Sequence, residues 1–414
     1  MTTPLKIDIG RLQGEIDSLA LISENPPPVV TRVLFSEADL AARARVKDLC
    51  REAGLALRED AVGNIFAHWE GTRRAAPAIA TGSHIDAIPN AGKYDGVVGV
   101  LGAIEAIRAL RRIGFQPGRA IELIVFTAEE PTRFGIGCLG SRMMAGALAR
   151  EKIASLRDSD GRDLEFWRRQ AALGGDLDSV RLSEGAFGGF VELHIEQGPM
   201  LERENLAIGI VEKIAGPSSL RLRLTGVGGH AGAVLMPERH DALLAGAEIA
   251  LAVEKAALSS GSPDTVGTTG VLRIEPGAVN SVPCRALLEI DLRDTNPVTR
   301  DAALAQIEAA AERTCHQRGI GLELERVNVD APALCDPGLV ELISRVCQDL
   351  EVSSRKLISR AYHDTLFMAR MCPVTMIFIP CRGGVSHRPD EYAGPEQIQK
   401  GVLVLAETLR RLAE

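Results

Sequence analysis

Histidines and carboxylates stand at or near the ends of four apolar, strand-like segments of this 414-residue chain. The four segments and their polar residues are AIATGS with His84 and Asp86, IELIVFTA with Glu129 and Glu130, FVELHIEQG with His194, and MIFIPCRGGVS with His387. In α/β sheets, ligands bind beyond the carboxyl ends of the strands, so side chains delivered there are expected to meet in space. The sequence therefore predicts one site assembled from distant segments.

The chemistry that these residue types favour is metal binding. Imidazole nitrogen and carboxylate oxygen bind Zn²⁺ and similar ions without any thiolate. Three histidines with two or three carboxylates are too many for one four-coordinate ion but suit two divalent ions that share a carboxylate. The ligand types leave Zn²⁺, Mn²⁺, Co²⁺ and Ni²⁺ open. A satisfied core histidine or a surface acid is the simpler interpretation of any single residue, but recurrence at four strand ends favours the two-metal centre.

Asp86 and the adjacent pair Glu129–Glu130 are predicted to have separate roles. Asp86 follows His84 by two residues and is placed to orient that imidazole. If the strand before Glu129 loses its alternation, both glutamates can face one cavity, so that one ligates a metal while the other takes a proton from water as a general base. Taken alone, an exposed acidic pair at a strand end would be the simpler interpretation.

Alternating strands and helices are predicted to position these residues. Helical periodicity covers residues 7–23 and 37–54, the second with Ser36 as its start signal and Gly54 as its stop signal. Further along, strand-like runs alternate with helix-like ones, which is typical of a parallel or mixed α/β sheet covered on both faces. The stretch TGSHIDAIPNAGKYDG, residues 81–96, contains glycine, asparagine and proline and predicts a loop.

The pattern changes between about Ile214 and Asp330. A half-buried strand, a helix, two strands, a long helix and a strand follow one another there, which is the βαββαβ order of a ferredoxin-like unit. We therefore predict two domains, the first formed by residues 1–213 and 330–414 and the second, residues 214–329, inserted into it.

Glycines at positions 96, 99 and 102 suggest a dinucleotide-binding loop. That fingerprint requires G-x-G-x-x-G directly after a strand, whereas here the polar run NAGKYD precedes glycines spaced by three. The glycines instead predict a helix packed closely on the sheet, and a dehydrogenase is disfavoured.

Composition excludes several other classes of protein. The net charge of −8, with acids interspersed among the arginines, argues against a nucleic-acid partner, because phosphate binding needs clustered lysine and arginine. No apolar run approaches about 18 residues, so no membrane span is expected. The N-terminus lacks the pattern of a signal peptide, and the eight cysteines form no CxxC pair, so a cytoplasmic location is predicted.

Five motifs resemble those of the hydantoinase/carbamoylase family of amidases: TGSHIDAIPNAGKYDG, TAEEPTRFGIGCLGS, ELHIEQGP, GGHAGAVLMPERHDAL and VSHRPDEY. This family includes N-carbamoyl-L-amino acid hydrolases, allantoate and ureidoglycolate amidohydrolases and β-ureidopropionases, and it belongs with the di-zinc aminoacylases and carboxypeptidases. The resemblance implies an α/β, di-metal aminopeptidase-like catalytic domain with an inserted ferredoxin-like α+β lid and dimerisation domain. It also implies a homodimer formed through that lid.

The resemblance assigns roles to individual residues. It implies that Glu129 is the general base, that Asp95 is the ligand shared by both ions, and that His230 polarises the scissile carbonyl across the dimer interface. The implied metal ligands are His84, Asp95, Glu130, His194 and His387. The residues implied to contact substrate are Gln197, His230, Asn280, Arg293 and His363, with Asn280 and Arg293 binding the substrate carboxylate.

The substrate implied by the resemblance is a small ureido acid whose hydrolysis releases ammonia and carbon dioxide. The segment RAYHDT keeps His363 but has Tyr362 where many members of the family have glycine. Tyr362 either contacts a small hydroxy acid or only packs. The motifs favour ureidoglycolate or allantoate, and an N-carbamoyl-L-amino acid or N-carbamoyl-β-alanine is the alternative. An N-acyl amino acid deacylase or peptidase, or a non-catalytic ligand binder, would be the remaining possibilities.

Overall fold

The computed structural model describes residues 5–414, and helices alternate with strands along most of them. The helices are α1 (Ile9–Ala20), α2 (Glu37–Glu52), α3 (Val97–Arg112), α4 (Leu139–Met144), α5 (Arg150–Ser155), α6 (Leu164–Gln170), α7 (Met200–Arg203), α8 (Ala242–Leu258), α9 (Pro297–Arg318), α10 (Pro337–Asp349), α11 (Thr365–Met368) and α12 (Pro395–Ala413). The strands are β1 (Val30–Arg32), β2 (Ala56–Glu59), β3 (Ile65–Trp69), β4 (Ala78–His84), β5 (Ala87–Ala91), β6 (Ile121–Phe126), β7 (Phe187–Ile195), β8 (Ile208–Ile214), β9 (Gly216–Thr225), β10 (Gly229–His230), β11 (Val266–Glu275), β12 (Ser281–Val282), β13 (Arg285–Asp294), β14 (Gly321–Val329), β15 (Ala333–Leu334), β16 (Ser354–Ser359) and β17 (Val374–Ile379).

These elements form two compact units. The first contains the residues up to Glu212 together with Leu334–Ser359 and His363–Glu414, and the second contains Lys213–Ala333 together with Arg360–Tyr362. The insertion predicted from sequence, residues 214–329, differs from the second unit by one residue at its start and four at its end, and it omits the short segment that carries Tyr362.

A mixed sheet forms the centre of the first unit, as the alternating pattern predicts. Its strands lie in the order β15-β8-β17-β7-β4-β6-β3-β2, with β16 paired to β8. The central pairs β17–β7, β7–β4 and β4–β6 are parallel, whereas β8–β17, β6–β3 and β3–β2 are antiparallel. Because β4, β6, β7 and β17 run in one direction, the residues that follow them emerge at the same edge of the sheet.

Helices and apolar side chains cover both faces of this sheet. Helix α3 packs on β4 and β7, and a Cβ on Gly99 would lie only 2.3 Å from Leu193 O. Such a close approach requires glycine, so the prediction that these glycines pack a helix on the sheet is confirmed at Gly99. Phe190 points to the opposite face from Leu193 and joins a core cluster with Phe126. The predicted α/β fold is confirmed.

The predicted loop, residues 81–96, begins inside β4, and its residues 87–91 are also strand rather than loop. They form β5, which pairs antiparallel with β1. The fully buried Arg32 at the end of β1 also donates hydrogen bonds to Ile85 O (2.5 Å) and Leu19 O (3.2 Å). Proline and asparagine are disfavoured in strands, so AIPNA carries no strand signal, and the pairing with β1 decides the conformation.

The second unit contains a four-stranded antiparallel sheet in the order β11-β13-β9-β14. Helices α8 and α9 pack on this sheet and bury an apolar core against it. The chain order of these six elements is βαββαβ, so the ferredoxin-like prediction is confirmed. Within residues 5–414, no helix is both long and apolar enough to cross a lipid bilayer.

Candidate metal centre

His84 and His194 lie near the carboxyl ends of the neighbouring parallel strands β4 and β7, and both are buried. The Nδ1 atom of His84 lies 3.1 Å from Asp86 O. The Nδ1 atom of His194 lies 2.9 Å from Ile195 O. With Nδ1–H donated to a carbonyl, each ring turns its Nε2 towards Asp95, at 3.6 Å for His84 and 3.1 Å for His194 from Oδ1. This is the orientation that metal-binding histidines adopt.

Asp95 is the carboxylate on which two groups of donor atoms converge. Its Oδ1 faces the two strand-end histidines, whereas its Oδ2 lies 3.4 Å from His387 Nε2. The same nitrogen of His387 lies 3.1 Å from Glu130 Oε1. The two groups are His84, Asp95 and His194, and Asp95, Glu130 and His387, with the donor atoms of each group within 4.8 Å of one another. The structure thus brings the five predicted ligands together.

The charges of this donor set fit divalent cations. Asp95, Glu129 and Glu130 are all buried, and within residues 5–414 no lysine or arginine forms an ion pair with any of them. Buried carboxylates are costly unless they are paired or bind a metal. Imidazole nitrogen and carboxylate oxygen are the ligands that zinc and similar cations take, and such ions would supply the missing positive charge.

Glu129 and Glu130 both face the site because the regular strand ends before them. Ala128 has a positive φ of 53°, which interrupts the alternation of β6. The Asp86 carboxylate accepts hydrogen bonds from the backbone N–H of Glu129 (3.3 Å) and of Glu130 (3.0 Å). Asp86 Oδ1 lies 3.5 Å from His84 Nδ1, farther than its own backbone oxygen. Asp86 therefore orients His84 mainly through its main chain, and its carboxylate holds the two glutamates.

The pKa values of Glu129 and Asp95 are shifted in opposite directions. Burial and the negative charge of Glu130 raise the pKa of Glu129 well above its usual value, against the opposing effect of His84. Burial also opposes ionisation of Asp95, but hydrogen bonds from His194 and His84 hold its pKa well below the usual value. A raised pKa suits a group that accepts and returns a proton, and a lowered pKa suits a permanently ionised ligand.

Glu192, His194 and His363 form a third cluster of possible donors, but Glu192 is already engaged. Its Oε1 accepts a hydrogen bond of 2.7 Å from Ser83 Oγ, and its Oε2 accepts one from Thr365 Oγ1. We therefore interpret buried Glu192 as a structural anchor beneath the site. The His363 ring packs beside it, with its centroid 4.5 Å from that of His194.

Sequence reasoning missed several side chains that contact the site. Ser386 and Glu391 hydrogen-bond to Asp95, and Cys138 Sγ lies 3.8 Å from Glu129 Oε1. The motif VSHRPDEY contains the first two, but their contact with a residue up to 296 positions away has no signal in the sequence. The predicted Gln197 lies at the same carboxylate, where its Nε2 donates to Asp95 Oδ2 at 2.7 Å.

Two further predicted residues, His230 and Asn280, lie in the second unit. His230 ends the short strand β10, which pairs with β12 so that His230 faces Ser281. Asn280 directly precedes that partner, and both His230 and Asn280 are exposed. The structure therefore places these two residues next to each other on one short ribbon.

Arg293 and Tyr362 also lie in the second unit, and they contact each other. The Arg293 guanidinium lies 4.9 Å from the centroid of the Tyr362 ring, within the range of a cation–π contact. Its Nε donates to Asp291 Oδ1 at 2.6 Å, and its Nη2 lies 3.2 Å from Asp291 Oδ2. Both side chains predicted to recognise substrate thus belong to one polar cluster.

Comparison with known proteins places the chain among metal-dependent hydrolases. The sequence profile of peptidase family M20/M25/M40 matches residues 80–411. The chain is 51% identical over 420 residues to a ureidoglycolate hydrolase of Arabidopsis thaliana, covering 100% of this chain and 88% of that protein. It is 37% identical to an N-carbamoyl-L-amino acid amidohydrolase of Geobacillus stearothermophilus, covering 98% of each. The crystal structure of a hydantoinase/carbamoylase family amidase from Burkholderia vietnamiensis superposes with a TM-score of 0.94 at 30% identity, covering 100% of this chain and 99% of that one.

Proposed function

Because the chain belongs to peptidase family M20/M25/M40 and, within it, to the hydantoinase/carbamoylase amidases, we propose that it hydrolyses the ureido C–N bond of ureidoglycolate. The observation that carries this choice is the 51% identity to a ureidoglycolate hydrolase, against 37% to an N-carbamoyl-L-amino acid amidohydrolase. The reaction releases ammonia and carbon dioxide. Allantoate is the second ureido substrate that the same site suits, and N-carbamoyl amino acids are the alternative class.

The five converging donors are proposed to hold two divalent cations. His84, Asp95 and His194 would hold one ion, and Asp95, Glu130 and His387 would hold the other, so that both ions would share Asp95. Zn²⁺, Mn²⁺, Co²⁺ and Ni²⁺ all suit imidazole and carboxylate ligands. When bound, the ions supply Lewis acidity at the ureido carbonyl and favour ionisation of water there.

Glu129 is proposed as the general base of the reaction. Its carboxylate is buried 3.7 Å from His84 Nε2, and the hydrogen bond from its N–H to Asp86 fixes its backbone. It takes a proton from the attacking water as the oxygen adds to the ureido carbonyl carbon. It then gives the proton to the leaving nitrogen, so that the C–N bond breaks, ammonia departs and the remaining carbamate loses carbon dioxide to leave the parent amine.

Five residues are proposed to bind substrate, as the family resemblance implies. They are Gln197 and His363 in the first unit and His230, Asn280 and Arg293 in the second. His230 would polarise the carbonyl across the dimer interface, and Asn280 and Arg293 would bind the carboxylate, because a planar guanidinium matches a carboxylate with two parallel hydrogen bonds. The contact between Tyr362 and Arg293 puts a phenol hydroxyl in the same cluster, which favours contact with a hydroxy acid over a purely packing role.

A substrate panel tests the proposed function. Protein stripped by a chelator and reconstituted with Mn²⁺ or Zn²⁺ is expected to release ammonia from ureidoglycolate with kcat/KM about ten-fold or more above that for allantoate or N-carbamoyl-L-amino acids. Tyr362→Phe should reduce that preference, whereas Tyr392→Phe, at a half-exposed tyrosine of the first unit, should not. Release of a carboxylic acid from N-acyl amino acids without ammonia would contradict the proposal.

The second unit is proposed to form a homodimer with a second copy of the chain. Strand β11 ends the four-stranded sheet, so one of its edges has no partner strand within the described residues. Helix α8 packs on β11 and exposes Leu244, Leu251 and Leu258, which are spaced by seven and share one helix face. A two-fold axis that pairs β11 with β11 would cover this face against the same face of the partner, which is a self-complementary interface.

Charge placed on this leucine face is expected to separate the dimer. Leu251→Glu combined with Leu258→Glu should convert the protein to monomer in sedimentation-velocity measurements, because two buried charges without partners would oppose association. Leu21→Glu is the matched control, since Leu21 is exposed to the same extent as Leu251 (68% and 66%) but lies in the first unit. A monomeric unsubstituted protein, or a double variant that remains dimeric, would contradict this assignment.

A further inference from the structure

Glu391, a buried carboxylate that is not among the proposed ligands, accepts hydrogen bonds from the backbone at Asp95. Glu391 is 4% exposed, and its Oε1 accepts hydrogen bonds from the N–H of Tyr94 (2.8 Å) and of Asp95 (3.1 Å). A Cβ on Gly92 would lie only 2.4 Å from Glu391 Cβ, so the loop that carries Asp95 passes directly over this side chain. Glu391 thus fixes the main chain at Asp95, the carboxylate that both donor groups share.

Ser386 connects the same two loops through side chains. Its hydroxyl donates to Asp95 Oδ2 and lies 2.9 Å from Glu391 Oε2. Ser386 directly precedes His387, so the contact ties the loop that supplies His387 to the oxygen of Asp95 that faces it. The group formed by Asp95, Glu130 and His387 therefore depends on hydrogen bonds between two segments that are far apart in the chain.

Asp86 makes the same kind of contact to the main chain of the two adjacent glutamates. Asp86 accepts the consecutive N–H groups of Glu129 and Glu130, just as Glu391 accepts the consecutive N–H groups before and at Asp95. In each case a buried carboxylate that is not a proposed ligand fixes the backbone that carries one. Two hydrogen bonds to one buried side chain restrict the main chain on either side of the donor residues.

The two donor groups differ in how firmly the fold holds them. His84 and His194 belong to adjacent strands of the central sheet and are fully buried. His387 lies outside any helix or strand, its side chain is 46% exposed, and its φ is +59°, a conformation that non-glycine residues rarely adopt. Its placement therefore requires support from its neighbours rather than from the sheet.

We propose that Glu391 and Ser386 are positioning residues that assemble the group formed by Asp95, Glu130 and His387, so that this group binds its cation more weakly when either is removed. The group formed by His84, Asp95 and His194 keeps its cation, because the sheet positions both histidines. This inference rests on the proposed two-cation centre. It adds that one of the two cation sites depends on Glu391 and Ser386 whereas the other does not. Removing a partner that orients a metal ligand typically weakens metal affinity by about 10–100-fold.

Calorimetric titration of Zn²⁺ into the chelator-stripped, full-length protein tests the inference. Unsubstituted protein should bind two ions per chain. Glu391→Ala and Ser386→Ala should each bind the first ion with unchanged affinity and the second about 10–100-fold more weakly. Glu391→Gln should restore most of the affinity, because its amide oxygen can still accept both N–H groups. Glu396→Ala, at an exposed glutamate that forms an ion pair with Lys400, is the control and should bind both ions normally.

The outcomes separate this inference from the proposed function. Two ions bound at unchanged affinity by both alanine variants would overturn the inference and leave the two-cation centre standing. Loss of both ions would also overturn it, because the effect would not be specific to one group. Failure of the unsubstituted protein to bind any ion would overturn the proposed function itself. Since Ser386→Ala removes a single oxygen atom, it keeps the test decisive if Glu391→Ala folds poorly.

Discussion

Glu129→Gln is expected to lower turnover by about 10²–10⁴-fold while both cations stay bound. The amide keeps the shape of the side chain and the backbone hydrogen bond to Asp86, but it accepts no proton from water. Neither donor group that converges on Asp95 includes Glu129, so metal content should not change. Ammonia release from ureidoglycolate and metal analysis of the same dialysed sample measure the two quantities together.

The matched control for this substitution is Glu184→Gln, at an exposed glutamate. It changes the same functional group and should leave both turnover and metal content unchanged. If Glu129→Gln retained more than about a tenth of the activity, another group would have to remove the proton, since general-base catalysis typically contributes more than that. If it instead lost a cation, Glu129 would be a ligand rather than the base.

Asp95→Ala is expected to remove both cations and all measurable turnover, which is the second large effect. Each donor group includes Asp95, because Oδ1 faces His194 and Oδ2 faces His387. His387→Ala is expected to remove only one cation, because it belongs to a single group. Metal content after dialysis should therefore fall from two ions per chain to none for the first variant and to one for the second.

Thermal unfolding gives an independent measurement of the same difference. A ligand that binds only the folded state stabilises it by RT ln(1 + [L]/Kd), about 4 kcal/mol at a concentration 1,000 times Kd. Added Zn²⁺ should therefore raise the melting temperature of the stripped unsubstituted protein clearly, and that of Asp95→Ala hardly at all. One ion per chain retained by Asp95→Ala would contradict the shared carboxylate.

The sequence was enough to locate the site among the strands. Short apolar runs indicate strands wherever the chain is folded, and a histidine or carboxylate after such a run is visible without knowing any contact. His84, His194 and the pair Glu129–Glu130 were identified in this way, because the carboxyl ends of parallel strands meet at one edge of a sheet. The βαββαβ order of the second unit was equally visible, since each of its elements has its own hydrophobic period.

The residue pattern does not show which ligand is shared, and only the resemblance to a family implies that Asp95 is that ligand. The chain pattern placed Asp95 in a loop, but the direction of its two oxygens follows from the contacts with His194, His387 and Ser386. Likewise, the residue pattern predicts only a helix-packing role for Gly96. In the structure its φ is +64°, and a Cβ would lie 2.5 Å from the His84 ring, so it also makes room for a ligand.

By itself, the sequence determined the helices and strands, the histidine and carboxylate side chains that they carry, and the edge of the sheet where these side chains emerge. Only the tertiary structure decided that Asp95 belongs to two groups of donor atoms. It also decided that Asp86 accepts hydrogen bonds from the backbone of Glu129 and Glu130, and that Glu391 accepts one from the backbone of Asp95, 296 residues away. The physical reason is that apolar periodicity is local, whereas a hydrogen bond depends on distance and angle between atoms of separate segments. Those distances and angles are set only when the strands have paired and the loops have closed over them.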